Sequence, residues 1–177
     1  MKGEIAVICS RADPASLNIF ECLLKMQDWK TGEGYVFSGR WRLVIHEGKQ
    51  STFSHLDEML TARPLKPELI VFASRHEAKS ALPWLGGHFT GVIEEEKFSL
   101  SAAAPFALRS FLHNLRDISL PGYALSAEAT HHGPADVTTP CFFAEIGSTE
   151  REWRDPQAGR AVARAILALE EKEGPVF

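Results

Sequence analysis

Residues 69–76 read Leu-Ile-Val-Phe-Ala-Ser-Arg-His, an apolar run that stops abruptly at polar side chains. A short run of this kind, rich in branched and aromatic residues, predicts a buried strand. Similar runs predict further strands at residues 4–9, 123–127 and 141–146.

Helix signals lie between these strands. Asp13 and Asp155 are each followed by proline, and we expect them to cap helices that carry proline at the first helical position. Pro105 is expected to open a third helix that runs to about Leu115. Because strands and helices alternate over most of the length, we expect an α/β fold with three αβα layers.

Three local features complete the expected architecture. Residues 35–37 and 42–45 predict a hairpin, which makes the sheet mixed rather than purely parallel. Ser54 is expected to cap a short helix that runs through Leu60. The stretch 82–97 is expected to be irregular, and no repeat or linker divides the chain, so we expect a single domain over residues 1–177.

Composition restricts the class of protein. The 177 residues are 45% apolar and 24% charged, with a formal net charge of −4. This excludes a broad basic surface, so any nucleic acid is expected to bind at one local site. The apolar runs are too short to span a bilayer, and the first residues do not resemble a signal peptide. We therefore expect no membrane partner. Three cysteines without C-x-x-C spacing predict buried thiols in a reducing compartment, so we expect a cytoplasmic location.

Residues 74–76, Ser-Arg-His, come directly after the apolar run of residues 69–73 that predicts a buried strand. Side chains at such a position project into the crevice at the carboxyl edge of the sheet. The guanidinium of Arg75 is suited to a phosphate or carboxylate, and His76 to general-base or metal-ligand chemistry. The alternative is a solvated turn that begins a helix.

Residues 128–134, Glu-Ala-Thr-His-His-Gly-Pro, are the densest cluster of titratable groups. At least one of His131 and His132 is expected to be functional. Adjacent side chains of an extended chain face opposite ways, so we expect that the two do not share one tetrahedral site. Glu128 and Glu145 fall in apolar runs, and each is expected to be paired, hydrogen-bonded or protonated, unless it lies on a solvated face.

Two weaker signals lie elsewhere. Ser148 and Thr149 follow a strand and, with their backbone N–H groups, suit an anion, although a simple turn is the alternative. His88 lies beside a Gly-Gly pair in the stretch expected to be irregular. The remaining histidines are expected to be surface or packing residues: His46, His55 and His113.

Several segments of the chain, in the same order, together resemble those of a known family. They are residues 9–19, 73–76, 104–105, 128–134 and 145–150, with Trp153 and Asp155. The resemblance is to the archaeal and plant type of D-aminoacyl-tRNA deacylase. It implies hydrolysis of the ester between a D-amino acid and the 3′ end of tRNA, with zinc as cofactor, and a fold related to phosphorylases and peptidyl-tRNA hydrolases.

Site roles follow from this resemblance as expectations. The groups expected to act in catalysis are His76, His131, His132, Glu128 and Glu145. Those expected to hold zinc are His76, His131 and His132. Those expected to hold the tRNA end are Arg75, Ser74, Ser148, Thr149 and His88.

The extent of the domain, the alternative functions and the oligomeric state are further expectations from the sequence. The chain ends where the family's glycine-rich strand would begin, so we expect that the domain lacks the family's C-terminal segment. A non-catalytic module that binds a tRNA end or a small molecule is the alternative function. A nucleoside- or phosphate-binding enzyme is a third, which the lack of a Gly-rich phosphate loop disfavours. We expect a monomer or a small homo-oligomer.

Overall fold

The computed structural model describes residues 3–94 and 97–170. The strands are β1 (Ile5–Ser10), β2 (Lys30–Thr31), β3 (Val36–Ser38), β4 (Trp41–His46), β5 (Leu69–Glu77), β6 (Trp84–His88), β7 (Gly91–Glu94), β8 (Lys97–Leu100), β9 (Ala124–Ala127) and β10 (Cys141–Ser148). The helices are α1 (Pro14–Leu24), α2 (Leu56–Ala62), α3 (Pro105–Ile118), α4 (Glu150–Trp153) and α5 (Pro156–Leu167), with a 3-10 turn at Gln50–Thr52.

Eight of these strands form one mixed sheet in the order β2-β3-β4-β1-β5-β10-β6-β9. Its centre, β4-β1-β5-β10, is parallel, whereas β6 runs antiparallel to β10. Strands β7 and β8 form a separate hairpin. The carboxyl ends of the parallel strands therefore meet at one edge of the sheet, which is where α/β folds place their ligands.

Side chains alternate between the two faces of the sheet and divide the core into two clusters. One cluster packs beneath α1, α3 and α5. The other contains Phe72 and Phe143, whose rings stack with their centroids 4.7 Å apart, together with Leu56 and Leu60 of α2. Helices thus cover both faces, and the expected three-layer α/β fold is confirmed. Within the described residues, none of the helices is long and apolar enough to cross a membrane.

The predicted helix caps are confirmed at two positions. Asp13 accepts hydrogen bonds from the backbone N–H groups of Ala15 and Ser16 through one carboxylate oxygen. Its other oxygen accepts from the backbone N–H of Arg75, which ties α1 to the end of β5. Asp155 caps α5 by accepting from the N–H of Gln157. The hairpin formed by β3 and β4 is also confirmed.

Two local predictions are wrong. The short helix begins at Leu56 rather than after Ser54, and His55 precedes it in a left-handed conformation without a side-chain cap. The stretch 82–97 is not irregular, because it contains β6 and β7. Strand β6 includes Gly86 and Gly87, and two adjacent glycines normally disfavour a strand.

The cysteines lie where the sequence suggests. Cys9 and Cys141 are buried and Cys22 is half-buried, and all three are free thiols. Burial raises the pKa of each of these thiols above its ordinary value. A raised pKa keeps the thiol protonated at neutral pH, which makes these side chains packing groups rather than nucleophiles.

Asp57 links α2 to the segment that precedes β10, and the link generates a testable pH dependence. Its carboxylate accepts from the N–H and hydroxyl of Thr138 at 2.7 and 2.8 Å and from the hydroxyl of Thr139 at 2.6 Å. Burial acts to raise the pKa of Asp57, but these hydrogen bonds outweigh it and lower the pKa below its usual value. The stabilisation is therefore present at neutral pH and is lost as pH falls through the lowered pKa.

We expect Asp57→Asn to lower the free energy of unfolding by about 1 kcal/mol at pH 7. The difference in unfolding free energy between wild type and variant should shrink as the pH is lowered towards 3. The carboxylate of Asp57 then becomes protonated and, like the amide of the variant, carries no charge. Urea unfolding at both pH values measures this, with the exposed Asp28→Asn as control. An equal loss at both pH values would contradict the assignment.

Candidate functional site

Four titratable side chains share one face of the sheet because of strand pairing. In the register, His76 of β5 pairs with Gly147 of β10, two residues beyond Glu145. Glu145 in turn pairs with Gly86 of β6, two residues before His88. Since residues two apart along a strand point the same way, His76, Glu145 and His88 lie on the same face.

Glu128 joins this face from the edge strand. Ser126 of β9 pairs with Gly86, and Glu128 follows two residues later with its backbone N–H donating to the carbonyl of Gly87. Glu128 therefore extends the row of titratable side chains across four neighbouring strands. No local sequence motif encodes this row, because it depends on the order of strands in the sheet.

The segment after Glu128 folds back over the row and adds two histidines. Its path is held by the backbone N–H of Gly91, which donates to the carbonyl of His132 at 3.0 Å, and by the hydroxyls of Thr90 and Ser101, which donate to the carbonyl of Pro134. A Cβ on Gly133 would lie 2.9 Å from the carbonyl oxygen of Ser51. Glycine at this position therefore lets the segment lie against the 3-10 turn.

His88, His131 and His132 form a compact triangle. Their ring centroids lie 4.6 to 4.7 Å apart, and one nitrogen from each ring lies within 4.8 Å of the others. His88 is buried, His132 is half-buried and His131 is exposed. The expectation that His131 and His132 face opposite ways is wrong, because these residues do not belong to a strand and their ring centroids lie 4.6 Å apart.

The same hydrogen-bond pattern fixes all three rings. Nδ1 of His88, His131 and His132 lies 2.7, 2.8 and 2.9 Å from the carbonyl oxygens of Phe89, Ala129 and Gly133, respectively. A carbonyl oxygen only accepts, so each Nδ1 must carry a hydrogen. In the neutral rings this leaves Nε2 with a free lone pair, the arrangement typical of histidines that bind a metal.

Glu145 lies beside the triangle. Its side chain is 1% exposed, and Oε1 lies 3.6 Å from Nε2 of His88. Both of its carboxylate oxygens, and Nε2 of His88, lack a hydrogen-bond partner among the described residues. Burying an unpaired carboxylate is costly, and a cation at this point would compensate both it and the imidazole lone pairs. The donor set of three imidazoles and a carboxylate therefore fits zinc.

His76 belongs to a second group, with Glu128 and Glu145. Its Nδ1 lies 3.1 Å from Oε2 of Glu128, out of line for a hydrogen bond, and 3.9 Å from Oε2 of Glu145. One side of the ring packs against Trp84 with the centroids 4.5 Å apart. On the other side, a Cβ on Gly147 would come within 2.7 Å of the ring, so glycine there makes room for His76.

His88 and His132 have pKa values that are shifted in opposite directions from the ordinary value of histidine. Burial lowers the pKa of His132, and the neighbouring His88 and His131 lower it further. Burial acts in the same direction on His88, but the contact with Glu145 and the charges around it outweigh burial and raise its pKa. Glu145 is thus the main electrostatic partner of His88.

A cleft of about 290 Å³ opens in front of these groups at the carboxyl edge of the sheet. His76, His131, His132 and Glu145 line it. The cleft is also lined by residues of the 3-10 turn and its approach and of the end of β5: Lys49, Gln50, Ser51, Ser74 and Arg75.

The residues expected to hold substrate divide into two sets. Ser74 and Arg75 line the cleft, with Arg75 held 3.7 Å from Glu77 and over the ring of Trp153. For Ser148 and Thr149 the structure differs from the prediction. The Ser148 hydroxyl donates to the carbonyl of Leu82 and that of Thr149 to Glu152, so both are used in local structure and neither lines the cleft.

The structure also regroups the expected metal ligands. His88, expected to hold substrate, takes the place in the triangle that the sequence assigned to His76. The reason is β6, which carries His88 beside β10 and which the sequence analysis missed. His46, His55 and His113 lie outside both groups, as expected. Gln50 also lines the cleft, which the sequence did not predict, and only its position after a parallel strand could have indicated this.

The chain has a mixed α/β fold of the nucleoside phosphorylase type. The purine nucleoside phosphorylase of Toxoplasma gondii aligns with a TM-score of 0.54 at 10% identity, over 94% of this chain and 91% of that one. The crystal structure of a conserved protein of unknown function aligns with a TM-score of 0.87 at 31% identity, over 97% of this chain and 64% of that one.

The sequence profile of D-aminoacyl-tRNA deacylase matches residues 63–176, and the chain belongs to this family. The D-aminoacyl-tRNA deacylase of Methanothrix thermoacetophila is 50% identical over 171 residues, which are 97% of this chain and 64% of that protein. The relative from Methanococcoides burtonii is 38% identical over 98% of this chain and 40% of its own length. The chain thus spans at most about two thirds of these relatives. The resemblance stated from the motifs is confirmed.

The electrostatic link between Glu145 and His88 can be tested in the metal-free protein. Removing the charge in Glu145→Gln should lower the pKa of His88, because that carboxylate is what holds it above its ordinary value. An NMR titration of the imidazole Cε1 protons measures this, with Glu77→Gln at the exposed end of β5 as control. An unchanged His88 titration in Glu145→Gln would contradict the pairing.

Proposed function

We propose that this chain hydrolyses the ester bond of D-aminoacyl-tRNA and releases tRNA and a D-amino acid. One observation carries the proposal: two groups of titratable side chains lie together beside one cleft. The first is the triangle of three histidines with free Nε2 lone pairs, next to the buried carboxylate of Glu145. The second is His76, which is flanked by carboxylates. Ester hydrolysis needs these elements: a base for water and a positive group for the developing oxyanion. Membership of the deacylase family supports the choice of ester.

We propose zinc as the resident metal, held by His88, His131 and His132 with Glu145 beside them. The orphaned Nε2 of His88 and both oxygens of Glu145 support this assignment. When bound, zinc supplies Lewis-acid chemistry that polarises a carbonyl or lowers the pKa of a water. His76, expected from sequence to be a ligand, is then available for proton transfer.

His76 acts as the general base in this proposal. Glu128 and Glu145 flank its Nδ1 at 3.1 and 3.9 Å, and their negative charges favour a proton on that atom, which leaves Nε2 to accept one from water. As water attacks the ester carbonyl, Nε2 takes its proton and then returns it to the 3′ oxygen of the leaving ribose. The two carboxylates stabilise the positive charge that the ring carries between these steps.

Residues Ser74 and Arg75 at the end of β5 position the tRNA end. Arg75 is about one third exposed, and its contacts with Glu77 and Trp153 keep the guanidinium near the cleft mouth, where it can bind a phosphate. Ser74 donates to Asp13 at 3.3 Å, which fixes the backbone that carries Arg75. We place the activity in the cytoplasm, where aminoacylated tRNA is used.

The activity is tested with D-tyrosyl-tRNA and L-tyrosyl-tRNA as substrates for the purified 177-residue chain. We expect cleavage of the D-ester in preference to the L-ester, loss of activity after chelation, and recovery on addition of zinc. A folded protein that cleaves neither ester in the presence of zinc would contradict the proposed function. Activity that withstands complete removal of metal would contradict the zinc assignment alone.

Replacing the base tests the role of His76. We expect His76→Gln to lower kcat by about 100-fold or more, the usual contribution of a positioned general base. Its zinc content should be unchanged, because the metal is assigned to the other histidines. The exposed His113→Gln is the matched control and should keep full activity. Loss of zinc from His76→Gln would instead make His76 a ligand, as the sequence suggested.

A further inference from the structure

Two cationic side chains line the cleft, Lys49 and Arg75. Lys49 follows the end of β4 and Arg75 lies near the end of β5, while β1 runs parallel to both strands and between them. Because neighbouring strands lie about 5 Å apart, the ends of β4 and β5 are separated by about 10 Å. Lysine and arginine side chains are long enough that one anion between them can contact both.

The backbone on either side of Lys49 is held in place. The hydroxyl of Ser10 donates to the carbonyl of Gly48 at 2.6 Å, and the side-chain amide of Gln50 donates to the carbonyl of Ile8 at 2.5 Å. The side chain of Lys49 is exposed, and none of the described residues pairs with its ammonium group. The segment thus presents an unpaired cation from a fixed position.

Arg75 is also held in place, and its donors are available. Its backbone N–H donates to the carboxylate of Asp13 at 3.0 Å, and its guanidinium lies 4.8 Å from the centre of the Trp153 ring. The distance of 3.7 Å from its Nη2 to Glu77 is too long for a hydrogen bond. The guanidinium therefore keeps its forked donors for a ligand.

The carboxylates that line the cleft do not neutralise these two cations. Asp13 already accepts hydrogen bonds from three backbone N–H groups and one hydroxyl. Glu77 is largely exposed to solvent, which screens its charge. Glu145 lies beside the histidines on β10, on the other side of β5 from Lys49. The cleft thus has a cationic end that is separate from the reacting groups, and such an end favours an anion.

We propose that Lys49 and Arg75 together bind the phosphodiester on the 5′ side of the esterified nucleotide. The inference rests on the proposed function and deepens it by naming the group of tRNA that the cleft recognises. This phosphodiester is carried by the same ribose as the ester, so it is the anion nearest to the bond that breaks. A forked guanidinium and a compact ammonium can share its two charged oxygens. The ribose is then held at both ends, whatever the base.

The test compares two small esters that differ in one group. One is adenosine 5′-methylphosphate with a D-tyrosyl group on the ribose 3′ oxygen, and the other is the same ester of adenosine, which lacks the phosphate. The phosphate advantage is the ratio of their kcat/KM values. We expect an advantage of about 100-fold in the wild type, about tenfold for each of two charged contacts.

Replacing one cation should remove one of these contacts. We expect the advantage to fall to about tenfold in Lys49→Met, which keeps the length of the side chain but not its charge. The matched control is Lys66→Met. Lys66 is exposed and precedes β5, at the opposite edge of the sheet, so this variant should keep the full advantage.

Two outcomes would overturn the inference. One is an advantage that Lys49→Met leaves unchanged, since Lys49 would then contact a different part of tRNA or none. The other is a wild-type protein that cleaves both small esters equally well. In either case the wild type still cleaves a D-ester, so the proposed function stands. Failure of the wild type to cleave any D-ester, including D-tyrosyl-tRNA, would count against the proposed function instead.

A binding measurement on the wild type does not depend on turnover. The same two compounds with a 3′-amide in place of the ester resist hydrolysis. We expect the phosphorylated amide to bind about 100-fold more tightly at low salt. The difference in affinity should shrink as salt is added, because the contacts are ionic. Equal affinities at low salt would overturn the inference whether or not the small esters are cleaved.

Discussion

The carboxylate of Glu145 is the group around which this site is built. It is 1% exposed, lies between His88 and His76 and has no hydrogen-bond partner for either oxygen in the described structure. A buried charge of this kind is retained only when other groups compensate it, since the desolvation of a carboxylate costs several kcal/mol or more. We propose that the neighbouring imidazoles, and a cation held by them, provide that compensation. The identity and spacing of the surrounding side chains follow from this requirement.

The sheet satisfies the requirement through strand order. Strand β10 places Glu145 between β5 and β6, so His76 and His88 reach it from opposite sides. Two glycines make room for this arrangement. Gly147 accommodates the ring of His76, and Gly133 lets the histidine-bearing segment pack against the 3-10 turn. A side chain at Gly147 would displace the ring of His76, and one at Gly133 would push its segment away from the backbone of Ser51.

Much of this could be predicted from the sequence. Apolar runs located β1, β5 and β10, and the proline-led caps located α1 and α5, because these signals depend on neighbouring residues. The same reasoning predicted as site residues His76, His131, His132, Glu128 and Glu145, which the structure brings together in two neighbouring groups. It failed for β6, where the Gly-Gly pair concealed a strand, and so it could not place His88 with the other histidines. The contact of Gln50 with the carbonyl of Ile8 joins residues 42 positions apart, which no local pattern encodes.

The central claim is that His88, His131 and His132 hold one zinc ion beside Glu145. X-ray absorption at the zinc edge, on protein loaded with one equivalent of zinc, tests it most directly. The account predicts a first shell with three imidazole nitrogens in the wild type and in His113→Ala, and fewer imidazoles in His88→Ala. A wild-type shell without three imidazoles, or one that His88→Ala leaves unchanged, would contradict it.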